Sequence, residues 1–106
     1  FHRLERLDLA KVGTLTFEKP DLETFRCLGL AYEALEAGGT CTARLNGANE
    51  VCVEAFLGGK IRFTDIQDTL ERIVREYAPQ PADSLEAVME ADREARERTR
   101  ELLAAL

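Results

Sequence analysis

Phe25-Arg-Cys-Leu-Gly-Leu-Ala-Tyr-Glu-Ala-Leu-Glu-Ala-Gly-Gly39 is the stretch on which the fold turns. Phe25, Leu28, Tyr32 and Leu35 recur at spacings of three and four, the period of one helical face, and Gly38-Gly39 supplies a stop. Immediately upstream the period is different. Val12-Gly-Thr-Leu-Thr-Phe17 alternates and is rich in β-favouring residues. That pattern predicts one strand over residues 12–17, with Gly13, Leu15 and Phe17 on one side. Glu18-Lys-Pro-Asp21 then breaks it, because proline restricts both itself and the residue before it.

Downstream the helical period persists. Thr40 or Thr42 can cap a second helix whose inner stripe reads Leu45, Asn49, Cys52 and Phe56, ending at Gly58-Gly59. Thr64-Asp-Ile-Gln67 has the spacing of a capping box and opens a third, with Ile66, Leu70, Ile73, Val74 and Tyr77 facing inward. A linker with Pro79 and Pro81 leads to a last helix from Asp83-Ser84, where Glu86 stands three residues after Asp83. Its apolar positions are Leu85, Val88, Met89, Ala95, Leu102, Leu103 and Leu106. Short connections favour antiparallel neighbours. The expectation is therefore a mostly α protein: a small four-helix bundle over residues 21–106, preceded by an extended linker, residues 1–20, with one strand. A lone strand cannot satisfy its own amides and carbonyls, so residues 12–17 predict a sheet supplied from elsewhere. The opening at Phe1, with Met89 the only methionine, predicts preceding sequence as well.

Composition narrows the function. The 106 residues carry 20 acidic and 14 basic side chains, a formal net charge of −6, which argues against a nucleic-acid surface. No apolar run approaches the roughly 20 residues of a membrane helix, and Arg3, Glu5, Arg6, Asp8 and Lys11 rule out a signal-peptide core. A cytoplasmic protein is the expectation. Cys27, Cys41 and Cys52 form no C-x-x-C pair, and His2, the one histidine, lies far from them; free thiols fit better than a zinc or redox site.

Chemistry-bearing residues are sparse. Leu45-Asn-Gly-Ala-Asn-Glu50 is the densest polar cluster. Asn49 shares a stripe with Leu45 and Cys52, which predicts burial, and an unsatisfied buried amide costs about 1–3 kcal/mol. Asn46, Asn49 and Glu50 are thus expected to form a structural polar pin on a loop, the one after Gly38, rather than a substrate or partner contact. Glu33, Glu36, Glu50 and Glu54 read as a solvated acidic face, because a di-metal bundle site also needs Glu-x-x-His motifs. Asp92–Glu101 alternates charge at helical spacing, an ion-paired surface or a partner-binding helix. No glycine-rich loop precedes a helix as a phosphate cradle requires. No catalytic, cofactor-binding or metal-binding residue is expected.

As a set, Val12–Asp21, Phe25–Leu35, Gly38-Gly-Thr40, Leu45-Asn-Gly-Ala-Asn-Glu-Val51, Glu54-Ala-Phe-Leu57 and Ile61-Arg-Phe-Thr-Asp-Ile66 resemble the C-terminal part of the 1-deoxy-D-xylulose 5-phosphate reductoisomerase family. The resemblance covers about residues 8–66 and continues more loosely through Ser84–Arg96. It implies an enzyme dependent on NADPH and a divalent metal, Mg or Mn. That enzyme converts 1-deoxy-D-xylulose 5-phosphate to 2-C-methyl-D-erythritol 4-phosphate in the non-mevalonate route to isoprenoids. It also implies that the catalytic and NADPH-binding domains precede this region, so that the segment is structural, binds no cofactor itself and is inactive alone. Gly47 stands where the family commonly has alanine, and Cys52 where a small aliphatic or threonine is usual. Two further expectations stand beside the resemblance: a stand-alone helical interaction module, and self-association of the unpaired segment 12–17.

Overall fold

The computed structural model describes residues 4–106. Among them are five helices: α1 (Leu9–Val12), α2 (Arg26–Ala37), α3 (Cys41–Leu57), α4 (Phe63–Glu76) and α5 (Leu85–Ala104). The mostly helical expectation holds, and the strand does not. Among the described residues there is no β-strand. Val12 instead closes a single helical turn, because Asp8 caps it: the Ala10 amide donates to Asp8 Oδ1 at 3.0 Å and the Gly13 amide to the Leu9 carbonyl at 2.9 Å. Residues 13–20 run on without a neighbouring strand. β propensity shapes a backbone but cannot supply the partner that makes a strand.

α3 and α4 form the centre. α2 packs on both from one side and α5 on both from the other. Leu30, Ala48, Cys52, Ile66, Leu70 and Ile73 make the buried cluster, with Leu45, Ile61, Val74, Tyr77, Leu102 and Leu103 around it. Each fully buried aliphatic side chain here contributes about 1.5–3 kcal/mol. The α4 stripe is placed as its period predicts. Its start lies slightly earlier than Thr64: Arg62 is the cap residue, and its amide donates to Asp65 Oδ2 at 2.7 Å. At α5 the cap is Ser84 rather than Asp83, its Oγ accepting the Ala87 amide at 3.1 Å.

α2 uses a different face from the one expected, and α5 keeps Ala95, Leu102 and Leu103 of its expected stripe while adding small residues to it. On α2 the buried residues are Leu30 and Ala34, while Phe25, Leu28, Tyr32 and Leu35 are exposed. On α5 the buried residues are Ala91, Ala95 and Thr99, and Leu85, Met89 and Leu106 are exposed. The second change follows from a close approach. Gly47 and Ala48 of α3 face this small-residue strip, and a Cβ on Gly47 would lie 2.5 Å from Asp92 Oδ1 and 3.3 Å from the Asp92 carbonyl oxygen. Small side chains on both helices are what let the backbones come this near.

Residues 4–25 stand away from the bundle. α1 contacts no other helix, and Leu4, Leu7, Leu9, Leu15, Phe17 and Leu22 are exposed. The radius of gyration, 17.8 Å, exceeds the roughly 13 Å of a compact domain of this length, and the arm accounts for the excess.

Candidate functional site

The Asn cluster lies on α3, and the structure does not bury it. Asn46 and Asn49 are exposed, and neither side chain has a hydrogen-bond partner among the described residues. The expected burial of Asn49 is corrected, for a geometric reason. α3 turns Ala48, Val51 and Cys52 into the core, and Asn49 is rotated about 100° from Ala48. The loop after Gly38 is held by backbone instead. The Thr40 amide donates to the Gln80 carbonyl at 2.9 Å, and Gly39 sits at φ +56, where a Cβ would overlap that same carbonyl. Glu50 alone of the three makes an intramolecular bond: it accepts from Arg96 Nη2 at 2.6 Å.

Asn46 and Asn49 form one wall of a shallow cleft of about 360 Å³, with Thr42, Leu45 and Leu70, opposite Cys27 and Ala31 of α2. Beside it runs the exposed α2 stripe. Two turns further along α3, Phe56, expected inside, is exposed and meets Phe63 edge-on, with ring centroids 5.5 Å apart. Two of the three charged residues of α2 are turned to α4, and Glu36 is exposed one turn after Tyr32. Arg26 bridges Asp68 and Glu71, and Glu33 accepts from Arg75, which holds the Glu33 carboxyl below the usual range.

A second cavity, about 260 Å³, lies between α2, α3 and α4. Arg44 projects beside it, buried, its guanidinium 4.1 Å from the Tyr77 ring centroid. Nη2 donates to Glu94 Oε2 at 3.2 Å, whereas Nε and Nη1 lack partners among the described residues. Sequence reasoning missed Arg44, since nothing in a helical stripe marks an arginine that a neighbouring tyrosine will cover.

No group of three or more His, Cys, Asp or Glu among the described residues could hold a metal ion. Glu50, Glu71, Glu76 and Asp92 are each committed to an arginine. The N-terminus of α4 already receives its own Asp65 carboxylate, which the Arg62 amide and guanidinium hold below its usual pKa. The three cysteines are free; burial pushes the Cys52 thiol up to about 11.

The chain is a member of the DXP reductoisomerase C-terminal domain family, whose profile matches residues 2–98. It is 58% identical over 100 residues to 1-deoxy-D-xylulose 5-phosphate reductoisomerase from Cupriavidus necator, covering 94% of this chain and 25% of the relative. The enzyme of the same name from Chlorobium phaeobacteroides is 52% identical over 94% of this chain and 26% of its own length. The structure also superposes on the Zymomonas mobilis reductoisomerase in complex with NADPH, with TM-score 0.87 and 42% identity. That match covers 96% of this chain and 27% of the other. A DOX-P reductoisomerase in complex with magnesium matches with TM-score 0.79 and 37% identity, over 93% and 27% of the two chains. The chain thus spans about a quarter of the length of the relatives it matches.

Proposed function

We propose that these residues are the C-terminal helical domain of an NADPH- and divalent-metal-dependent 1-deoxy-D-xylulose 5-phosphate reductoisomerase. They brace the preceding catalytic and NADPH-binding domains of the same polypeptide. The observation that carries this reading is the family match over residues 2–98, joined to a fold that leaves an apolar arm and helix face unfilled. Among the described residues no group of three or more His, Cys, Asp or Glu could hold a metal ion, which supports placing that chemistry elsewhere. The cofactors therefore belong to the preceding domains, and the segment alone neither binds them nor turns over substrate. The division into an arm, residues 1–20, and a bundle, 21–106, and a cytoplasmic location suited to free thiols, are parts of the same reading.

The test is an exchange. Residues 4–106 replace the matching last quarter of the Cupriavidus necator enzyme, and NADPH oxidation is followed with 1-deoxy-D-xylulose 5-phosphate. Turnover by the exchanged enzyme, with none by the isolated chain and no NADPH binding by calorimetry, is the expected result. Micromolar NADPH affinity in the isolated chain contradicts it. The arm adds one consequence. Its exposed apolar side chains, Leu15 and Phe17 among them, favour association with a second copy of the isolated chain; deleting residues 1–18 then abolishes any self-association seen by sedimentation.

A further inference from the structure

We infer that the α2–α3 face, formed by Leu28, Tyr32, Leu35, Asn46, Asn49 and Phe56, is the surface on which the preceding part of the same polypeptide seats a largely apolar segment. The inference rests on the reading that this chain is one domain of a longer reductoisomerase and says which of its faces meets the rest.

Three observations support it. The first is that α2 is apolar on two sides. Leu30 and Ala34 fill the bundle core, yet Tyr32 and Leu35 remain 57% and 67% exposed on the opposite side. A helix apolar all round is one that is covered all round, and the bundle covers only half of it. The second is charge. Of the charged residues nearest the face, Arg26, Glu33 and Glu50 are turned to α4 or α5, in the Arg26–Glu71, Glu33–Arg75 and Glu50–Arg96 pairs, and Glu36 alone stays exposed without an ion pair among the described residues. What the face offers is aliphatic and aromatic surface with two free carboxamides, each both donor and acceptor. A peptide backbone has that same chemistry, and the exposed Glu36, one turn after Tyr32, leaves a single carboxylate at the edge of the face. The third is continuity. The exposed arm residues Leu15, Phe17 and Leu22 lead directly to the start of α2, where this face begins. About three quarters of each relative's length lies outside the matched region, enough chain to cover it.

Cys27 is a built-in probe, because it lines the cleft opposite Asn49 and is exposed, while Cys52 is buried. Alkylation is followed in the isolated chain and in the exchanged Cupriavidus necator enzyme described above, with the labelled cysteine located by peptide fragmentation. Cys27 should react readily in the isolated chain and at least about tenfold more slowly in the long enzyme, since reaction there requires the interface to open. Tyr32→Glu should restore fast labelling in the long enzyme and leave the melting temperature of the isolated chain unchanged. Asn49→Cys provides a second probe on the opposite wall. Equal labelling in both proteins overturns the inference. So does protection that grows with concentration in the isolated chain alongside a dimer in sedimentation, which would assign the face to a second copy. Turnover by the long enzyme with Cys27 still open removes the docking face and keeps the function; covered cysteines without turnover do the reverse.

Discussion

Gly47→Ala should stabilise this domain slightly, although it builds a methyl group into the tightest approach between two helices. The glycine lies inside α3, where alanine is better by about 1 kcal/mol in intrinsic helix propensity. Against that gain stands the neighbour at 2.5 Å, the Asp92 Oδ1 atom, which a real Cβ cannot tolerate. That atom is the end of a rotatable side chain, so it moves. Its departure weakens the Asp92–Arg96 ion pair, 2.9 Å in the structure and one helical turn in span; exposed pairs of this kind contribute about 0.3–0.5 kcal/mol. The backbone contact to the Asp92 carbonyl, at 3.3 Å, asks α5 to yield by a few tenths of an ångström only. The balance is a gain of about 0.5 kcal/mol, or roughly 2–4 °C in Tm. Thermal melting by circular dichroism reads it directly. In an Asp92→Ala background the alanine should add nearly the full propensity difference of about 1 kcal/mol. A melting temperature that falls by several degrees in Gly47→Ala, and falls again in the double variant, would refute the argument by showing that the α3–α5 spacing cannot give.

Gly39→Ala should destabilise by about 2 kcal/mol or more, because φ +56 strains any side chain and the Cβ meets the Gln80 carbonyl rather than a movable group; denaturant unfolding measures it. Arg98 and Arg72 hold the Glu76 carboxyl down to about 2. A depressed acid contributes stability above its unfolded value and loses it as pH falls, so Tm should drop between about pH 4.5 and 2, and Glu76→Gln should flatten that part of the profile. Arg44→Met should be neutral or stabilising, since it removes two buried donors without partners, whereas Glu94→Ala should destabilise by about 1–3 kcal/mol by stranding the buried charge; chemical denaturation of both separates them. Thiol titration at pH 8 should label Cys27 first and Cys52 last, because the Cys52 thiol is buried and its pKa lies near 11.

The local grammar of this chain was legible without coordinates. Helical periods bounded by Gly38-Gly39 and Gly58-Gly59, and the stripe Ile66, Leu70 and Ile73, depend on interactions within a few residues, and the structure has helices in those places. The resemblance to the reductoisomerase family likewise rested on residue order alone. What only the tertiary structure decided was which face of α2 is inside and how α3 and α5 are rotated against each other. α2 is apolar on two sides, so its period cannot say whether Leu30 and Ala34 or Phe25, Leu28, Tyr32 and Leu35 meet α3 and α4. On α5 the pattern marked Ala95, Leu102 and Leu103, but Ala91 and Thr99 join them because Gly47 allows close approach, and a hydrophobicity pattern overlooks small residues. The same rotation of α3 exposes Asn49, and the β-like run at residues 12–17 lacks a strand because pairing is never a property of one segment. Periodicity reports that a face is apolar; what covers it is decided by the neighbours the helix meets.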